Sequence, residues 1–184
     1  MLDKKLFEQC KQREPRAQRT LYELYKARLM GLCRRYTRSG DDARDVLQES
    51  FIKIFSRIDQ VESFEKLDSW MKTVAVRTAI DQYHKTKRLE LRAYSDRDYQ
   101  VVDCDYDIVL EQLTDEFLLN AIHALPEGCR LIFNLFEVEG YSHGEIAEML
   151  NVSETTSRSQ LHRAKYLLKQ KLSQLGITRY EKLA

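Results

Sequence analysis

The chain has 184 residues, of which 43% are hydrophobic and 32% charged, with a formal net charge of +1. Only 6 glycines and 2 prolines interrupt it, and no strand-like alternation competes with helical spacing, so an all-α protein of one or two small domains is expected. No apolar run approaches the roughly 18 residues that span a bilayer, and the start Met1-Leu2-Asp3-Lys4-Lys5 carries no signal core, which predicts a cytoplasmic protein without membrane insertion.

Amphipathic spacing predicts a helix from Leu6 onward, then helices over Arg16 to Arg38, Asp41 to Ile58 and Ser69 to Leu91. In the third of these, Ala43, Val46, Leu47, Ser50, Phe51 and Ile54 form an inward stripe. Asp45, Gln48, Glu49 and Ile52 recur at i, i+3, i+4 and i+7 on a different face, and an apolar Ile set in acidic surroundings reads as a docking surface. Two carboxylates at this spacing also fit an acid and base pair, but no histidine, metal ligand or glycine-rich phosphate cradle accompanies them. A solvated helix face is the plain alternative.

The fourth helix starts aromatic and ends basic. Ser69 is expected to cap it, Met71, Val74, Ala75 and Thr78 to face inward, and Arg77, His84, Lys85, Lys87 and Arg88 to track a phosphate backbone. Phe64, Trp70 and Tyr83 are placed to stack on unpaired bases, a contact worth ~1–3 kcal/mol per base. A lone Trp at a helix start is more often a core anchor.

From Ala93 to Glu116 the composition turns acidic: Asp96, Asp98, Asp103, Asp105, Asp107, Glu111, Asp115 and Glu116 stand against Arg97 alone. Such a segment has too little apolar surface for a core and reads as a charged tether. Helical periodicity resumes at Phe117. Ser142-His143-Gly144-Glu145 has the spacing of a capping box, followed by the apolar Ile146, Ala147, Met149 and Leu150. Asn151 suits a left-handed turn, Val152 can plug the corner, and Ser153 can cap the next helix. That helix has Ser157, Leu161, Ala164 and Leu168 inward, with Arg158, Gln160, His162, Arg163, Lys165 and Lys169 mostly away from them. Between Ser153 and Lys171 the cations face one acid, Glu154. Local clustering of cations, more than total charge, marks phosphate binding, so a helix-turn-helix is predicted, with a solvated basic hairpin as the bland alternative.

The 4 cysteines, Cys10, Cys33, Cys104 and Cys129, are too scattered for a metal knuckle, and His84, His123, His143 and His162 do not join them at ligand spacing. They read as free thiols, with Cys33 in a helix core and no cofactor.

Taken together, these segments resemble the bacterial RNA polymerase sigma factors of the sigma-70 family, in the extracytoplasmic-function (ECF, group 4) type. The resemblance runs from about Ala17 to Leu172. It is carried by Asp45-Val46-Leu47-Gln48-Glu49-Ser50-Phe51, by Trp70 with Val74-Ala75 and Asp81, and by Leu125-Pro126 leading through Gly140-Tyr141-Ser142 and Glu145-Ile146-Ala147 to the run Arg158 to Ala164. It implies a region 2 bundle at 1–92, an acidic linker at 93–116 and a region 4 helix-turn-helix at 117–184. The first would dock on the clamp of core RNA polymerase through Asp45, Gln48, Glu49 and Ile52 and melt the downstream promoter element. Its downstream DNA contacts would be Ser63, Phe64, Arg77, Lys85, Lys87 and Arg88, the loop Val61 to Ser69 matching the family's pocket for an extruded base. The last would bind the polymerase flap and read upstream promoter DNA with Arg158, Ser159, Gln160, His162 and Arg163. The resemblance further implies an anti-sigma factor, no enzymatic activity, and a linker that threads the RNA exit path.

Three positions depart from the family pattern. Arg77 stands where Asn is common, Ser157 where an apolar Val is usual, and Thr155 in place of Gly, which bears on the angle at which the recognition helix approaches DNA. The residue pattern by itself also fits a dimeric operator-binding regulator or an adaptor that binds only protein.

Overall fold

The computed structural model describes residues 3–91 and 120–174, and the regular structure among them is helical. The chain divides into two compact units, Met1–Ala93 and Tyr94–Ala184. The expected acidic tether at 93–116 lies outside the described residues.

The first unit comprises α1 (Lys4–Lys11), α2 (Pro15–Tyr36), α3 (Gly40–Arg57) and α4 (Leu67–Leu91), with short 3-10 turns at Ile58–Gln60 and Phe64–Lys66. Each helix start has a local cause. The Asp3 carboxylate accepts from the Leu6 amide at 2.7 Å, Pro15 sits in the first turn of α2 where its missing N–H has no partner to lose, and Ser39 accepts from the Asp42 amide at 3.0 Å. Asp41 and Asp42 at the start of α3 and Arg57 at its end complement the helix dipole.

Helix α2 packs on α1, α3 and α4, and α3 packs on α4. The inward stripe expected of α3 is buried at every position, and its one polar member, Ser50, is satisfied by donating to the Val46 carbonyl at 2.6 Å. Phe51 packs its ring against Tyr22 and Phe55.

Helix α4 differs from expectation at its start. It begins at Leu67, which is fully buried, and Ser69 lies inside it with its hydroxyl donating to the Lys66 carbonyl at 3.0 Å. Burial of Leu67 and the preceding 3-10 turn set the boundary, so the hydroxyl at 69 does not cap. Val74 is only half-buried, while Val76, Ala79 and Ile80 join Met71, Ala75 and Thr78 inside. The reason is that α4 meets both α2 and α3, which takes a wider inward arc than one seam.

In the second unit, residues 120–123 are helical and are followed by α5 (Glu127–Phe133), a five-residue π segment (Asn134–Val138), α6 (His143–Leu150) and α7 (Glu154–Gln174). Helix α7 packs on α5 and α6. Ala121, Ile122, Leu125, Leu131, Ile132, Phe133 and Leu135 form the core with Ile146, Leu150, Leu161, Ala164, Leu168 and Leu172. Ala147 and Met149, expected inside, are half-buried, because α6 spans little more than two turns and presents one narrow stripe.

Cys10, Cys33 and Cys129 are free and buried. Burial pushes the Cys10 thiol up to about 11, with Glu14 adding to the effect; burial likewise raises Cys33 to about 12 and Cys129 to about 11. On the order of one such thiol in a thousand is ionised at pH 8, and the thiolate is the reactive form. Brief iodoacetamide treatment of the native protein should therefore leave Cys10, Cys33 and Cys129 unmodified by peptide mass mapping, with full modification after urea unfolding. Rapid native labelling of Cys33 would contradict this packing.

Candidate nucleic-acid interface

The helix-turn-helix is fixed by interactions at both sides of its corner. Ser142 accepts from the Glu145 amide at 3.3 Å while the Glu145 carboxylate accepts from the Ser142 amide at 2.8 Å, which closes the capping box and holds that carboxyl below its ordinary range. Asn151 ends α6 in the left-handed conformation, φ 53° and ψ 51°, and the Val152 amide donates back to the Ala147 carbonyl at 3.0 Å. Ser153 then caps α7 by accepting from the Thr156 amide at 3.0 Å. The chain thus leaves one helix and enters the next within three residues; Asn151 and Ser153 hold the roles expected from sequence, and Val152, expected to plug the corner, is half-buried there.

Helix α7 has a buried and an outward side. Ser157, Leu161, Ala164 and Leu168 are buried, as expected. Arg158 is exposed and pairs with Glu154 at 2.9 Å, one turn away. Ser159 is half-buried and donates to the Thr156 carbonyl at 3.0 Å, and His162 and Arg163 are half-buried on the same broad outward arc. An exposed ion pair of this kind is weak, ~0.3–0.5 kcal/mol, and leaves the guanidinium able to exchange Glu154 for a phosphate or a guanine edge.

Two of the expected outward cations and amides turn elsewhere. The Lys165 ammonium lies 2.9 Å from the Glu137 carboxylate on the π segment. Gln160 accepts from the Cys129 thiol at 2.8 Å. At 3.6 residues per turn Gln160 lies only about 40° around the helix from Ala164, so it flanks the buried side.

His143 opens α6 with its ring stacked on Phe136 at 4.4 Å between centroids and Nδ1 2.9 Å from the Ser157 hydroxyl. Burial, then the nearby Arg158 cation, holds its pKa below the usual value of 6.5.

In the first unit, Asp45, Gln48 and Glu49 are exposed on α3, and Ile52 beside them is 63% exposed. Lys53 bridges from this face to α4, its ammonium 2.9 Å from Asp81 and 3.8 Å from Glu49. Asp45, Glu49, Lys53, Asp81 and Lys85 line a polar recess of about 200 Å3. A second recess, about 340 Å3, is lined by Gln60, Val61, Glu62, Lys66, Ser69, Trp70 and Thr73. Helix α1 holds that loop: Lys11 donates to the Val61 carbonyl at 2.9 Å, and Phe7 packs on Phe64 with ring centroids 6.1 Å apart.

Ser63 and Phe64, the loop residues singled out from sequence, are half-buried and do not line this recess. Trp70, expected more often as a core anchor, is half-buried at it. Thr73 and Lys66 were missed, although Ser69, Trp70, Thr73 and Arg77 fall at helical spacing on one side of α4 and Lys66 ends the 3-10 turn just before it. Arg77 and Lys85 are exposed; Lys87 is exposed with its ammonium 5.6 Å from the Tyr83 ring centroid. The side chain of Arg88 lies outside the described residues.

The sequence of elements and sites has counterparts among known proteins. The family model for Sigma-70 region 2 matches residues 21–89, and that for Sigma-70, region 4 matches residues 117–168. An ECF RNA polymerase sigma-E factor from Haemophilus influenzae is 29% identical over 185 residues, covering 95% of this chain and 97% of its own. The protein of the same description from Escherichia coli is 25% identical over 185 residues, covering 95% and 96%. A solved structure of the sigma factor RpoE from Bartonella quintana, in complex with the anti-sigma factor NepR, has the same fold with a TM-score of 0.51 and 19% identity, covering 88% of this chain and 98% of that one. The chain belongs to the sigma-70 family, in its ECF type. It is a transcription initiation factor that directs RNA polymerase to promoters.

Because folding keeps His143 neutral more readily than unfolding does, its contribution to stability is complete above pH 6.5 and is lost as pH falls below that value toward its lowered folded pKa. Thermal unfolding of the second unit should therefore show a steeper loss between pH 7.5 and 5.5 in the native protein than in His143→Phe, which keeps the ring stack without the titration. Equal slopes would contradict the assignment.

Proposed function

We propose that the two units divide promoter recognition between them. Residues 1–92 dock on the polymerase clamp through Asp45, Gln48, Glu49 and Ile52 and open the downstream element, 93–116 form an acidic linker, and 117–184 bind the flap and read upstream duplex DNA. The observation that carries this reading is the outward arc of α7, where Arg158, Ser159, His162 and Arg163 stand opposite a face buried against α5 and α6. An arginine there can donate bidentately to guanine or clamp a phosphate, and Ser159 discriminates less.

The recess lined by Lys66, Ser69, Trp70 and Thr73 supports capture of an unpaired base on this side of the unit, with Ser63 and Phe64 in the adjoining chain outside its lining and Arg77, Lys85, Lys87 and Arg88 following the backbone. Removing a base from its stack costs a few kcal/mol, so melting belongs to the assembled enzyme and not to the free factor. Two modest readers then gain selectivity because docking on one large enzyme fixes their separation. The factor acts in the cytoplasm as a specificity subunit with no chemistry of its own. An anti-sigma partner that covers the clamp and DNA faces would silence it, as the company of RpoE and NepR in the related structure supports. Among the described residues no helix is long and apolar enough to cross a membrane.

Replacing Asp45, Gln48 and Glu49 together by Ala is expected to weaken binding to core polymerase at least tenfold with the helical circular dichroism unchanged; intact binding would show that α3 is not the docking face. Arg158→Ala should lose roughly 1–3 kcal/mol of upstream-element binding in the holoenzyme and relax base preference there. An unaltered promoter profile from run-off transcription would count against the recognition role of α7.

A further inference from the structure

Two polar side chains on the inner flank of α7 reach across to different helices. The Ser157 hydroxyl lies 2.9 Å from His143 Nδ1, and the imidazole is in turn held against the Phe136 ring at an interplanar angle of 23°. One turn further, Gln160 Oε1 accepts from the buried Cys129 thiol at 2.8 Å, so α7 is tied to α5. Gly128 lies beside this bond: a Cβ there would approach Gln160 Oε1 to 3.9 Å.

Further along, Lys165 pairs with Glu137 on the π segment through a long flexible stem, and the remaining contacts of α7 with its neighbours are largely apolar, through Leu161, Ala164, Leu168 and Leu172. Apolar packing is non-directional and resists separation more than rotation, whereas a hydrogen bond loses strength steeply as its angle departs from linear. A pair of such bonds to two different helices, on either side of Arg158 and Ser159 in sequence, fixes the rotation of α7 about its own axis. Rotation matters here because base edges are read by side chains whose direction is set by that axis.

We propose that Ser157 and Gln160 are positioning residues for promoter recognition: bonded to His143 and Cys129, they set the angle at which Arg158, Ser159, His162 and Arg163 meet the upstream element, without contacting a base themselves. The inference rests on the reading of α7 as the groove helix. It moves Gln160 from the base-reading set, where its place in the sequence had put it, to the bracing set. It also gives Ser157 a polar partner where the family pattern has an apolar residue.

The test uses Cys129, which is buried in α5 and cannot touch DNA. Holoenzymes carrying Gln160→Ala, Cys129→Ala, both, Cys129→Ser, Ser157→Ala, His143→Phe or Arg158→Ala are assayed by run-off transcription on a library randomised only in the upstream element. Core-polymerase affinity and thermal unfolding are measured in parallel. Cys129→Ala and Gln160→Ala should each reduce discrimination by roughly 3- to 10-fold, change the same positions of the element, and combine with less than additive effect. Ser157→Ala and His143→Phe should match each other in the same way, core affinity should be unchanged, and Cys129→Ser, which keeps a donor, should restore the native profile. If Gln160→Ala alters preference at a single base while Cys129→Ala leaves the profile intact, Gln160 reads DNA directly and the proposal is overturned. Unchanged profiles for all four bond-breaking variants, with Arg158→Ala still effective, overturn it as well. An ineffective Arg158→Ala removes the reading of α7 itself.

Discussion

Helix α7 must bury one side against both α5 and α6 while keeping the other side available, and the rest of the second unit is arranged to satisfy that constraint. Asn151 makes it possible. A residue there in the ordinary right-handed region would continue α6, and the inward residues of α7 would lose the two helices they pack against. With the left-handed corner in place, Ser142 and Ser153 close the orphan amides on either side, Leu161, Ala164 and Leu168 find their core, and the cationic arc is left outward by geometry. The outward placement of the proposed interface is therefore a consequence of where the buried stripe falls.

Electrostatics follows the same logic at the level of faces. A net charge of +1 says little about partners, because charge of one sign is concentrated in particular stretches, acidic over 93–116 and basic over 158–171. Asp45 and Glu49 lie on α3 beside the exposed Ile52, whereas the exposed Arg77 and Lys85 lie on α4, and Lys53 joins the two through Asp81 and Glu49. Each exposed pair contributes little to stability, so the sorting is better understood through association, where complementary fields steer encounter and suppress wrong partners.

Much of this was legible in the sequence because it rests on local rules. The inward stripe of α3, the capping box, the left-handed Asn151, the cap at Ser153 and the buried positions of α7 all follow from spacing and side-chain chemistry within a few residues. What escaped depends on partners distant in sequence. Ser69 lost its place as a cap because Leu67 is drawn into the core; Val76 and Ile80 are buried because α4 has two neighbours; Gln160 turns to Cys129, and Ser157 to His143, across gaps that no periodicity encodes. The recess at Trp70 likewise needs α1 to hold the loop through Lys11 and Phe7. Short-range chemistry specified the elements, and long-range contacts decided which of their polar residues remain available to a partner.

The central claim is that neither unit is selective by itself and that discrimination arises when both are carried by one enzyme at a fixed separation. The most direct measurement compares binding of the free chain and of its holoenzyme to promoter DNA, with the two elements at native spacing and with about 5 base pairs, half a helical turn, inserted between them. The account predicts weak, nearly sequence-independent binding by the free chain, strong preference for the native promoter by the holoenzyme, and loss of that preference on insertion. Equal discrimination by the free chain and the holoenzyme, indifferent to the insertion, would contradict it.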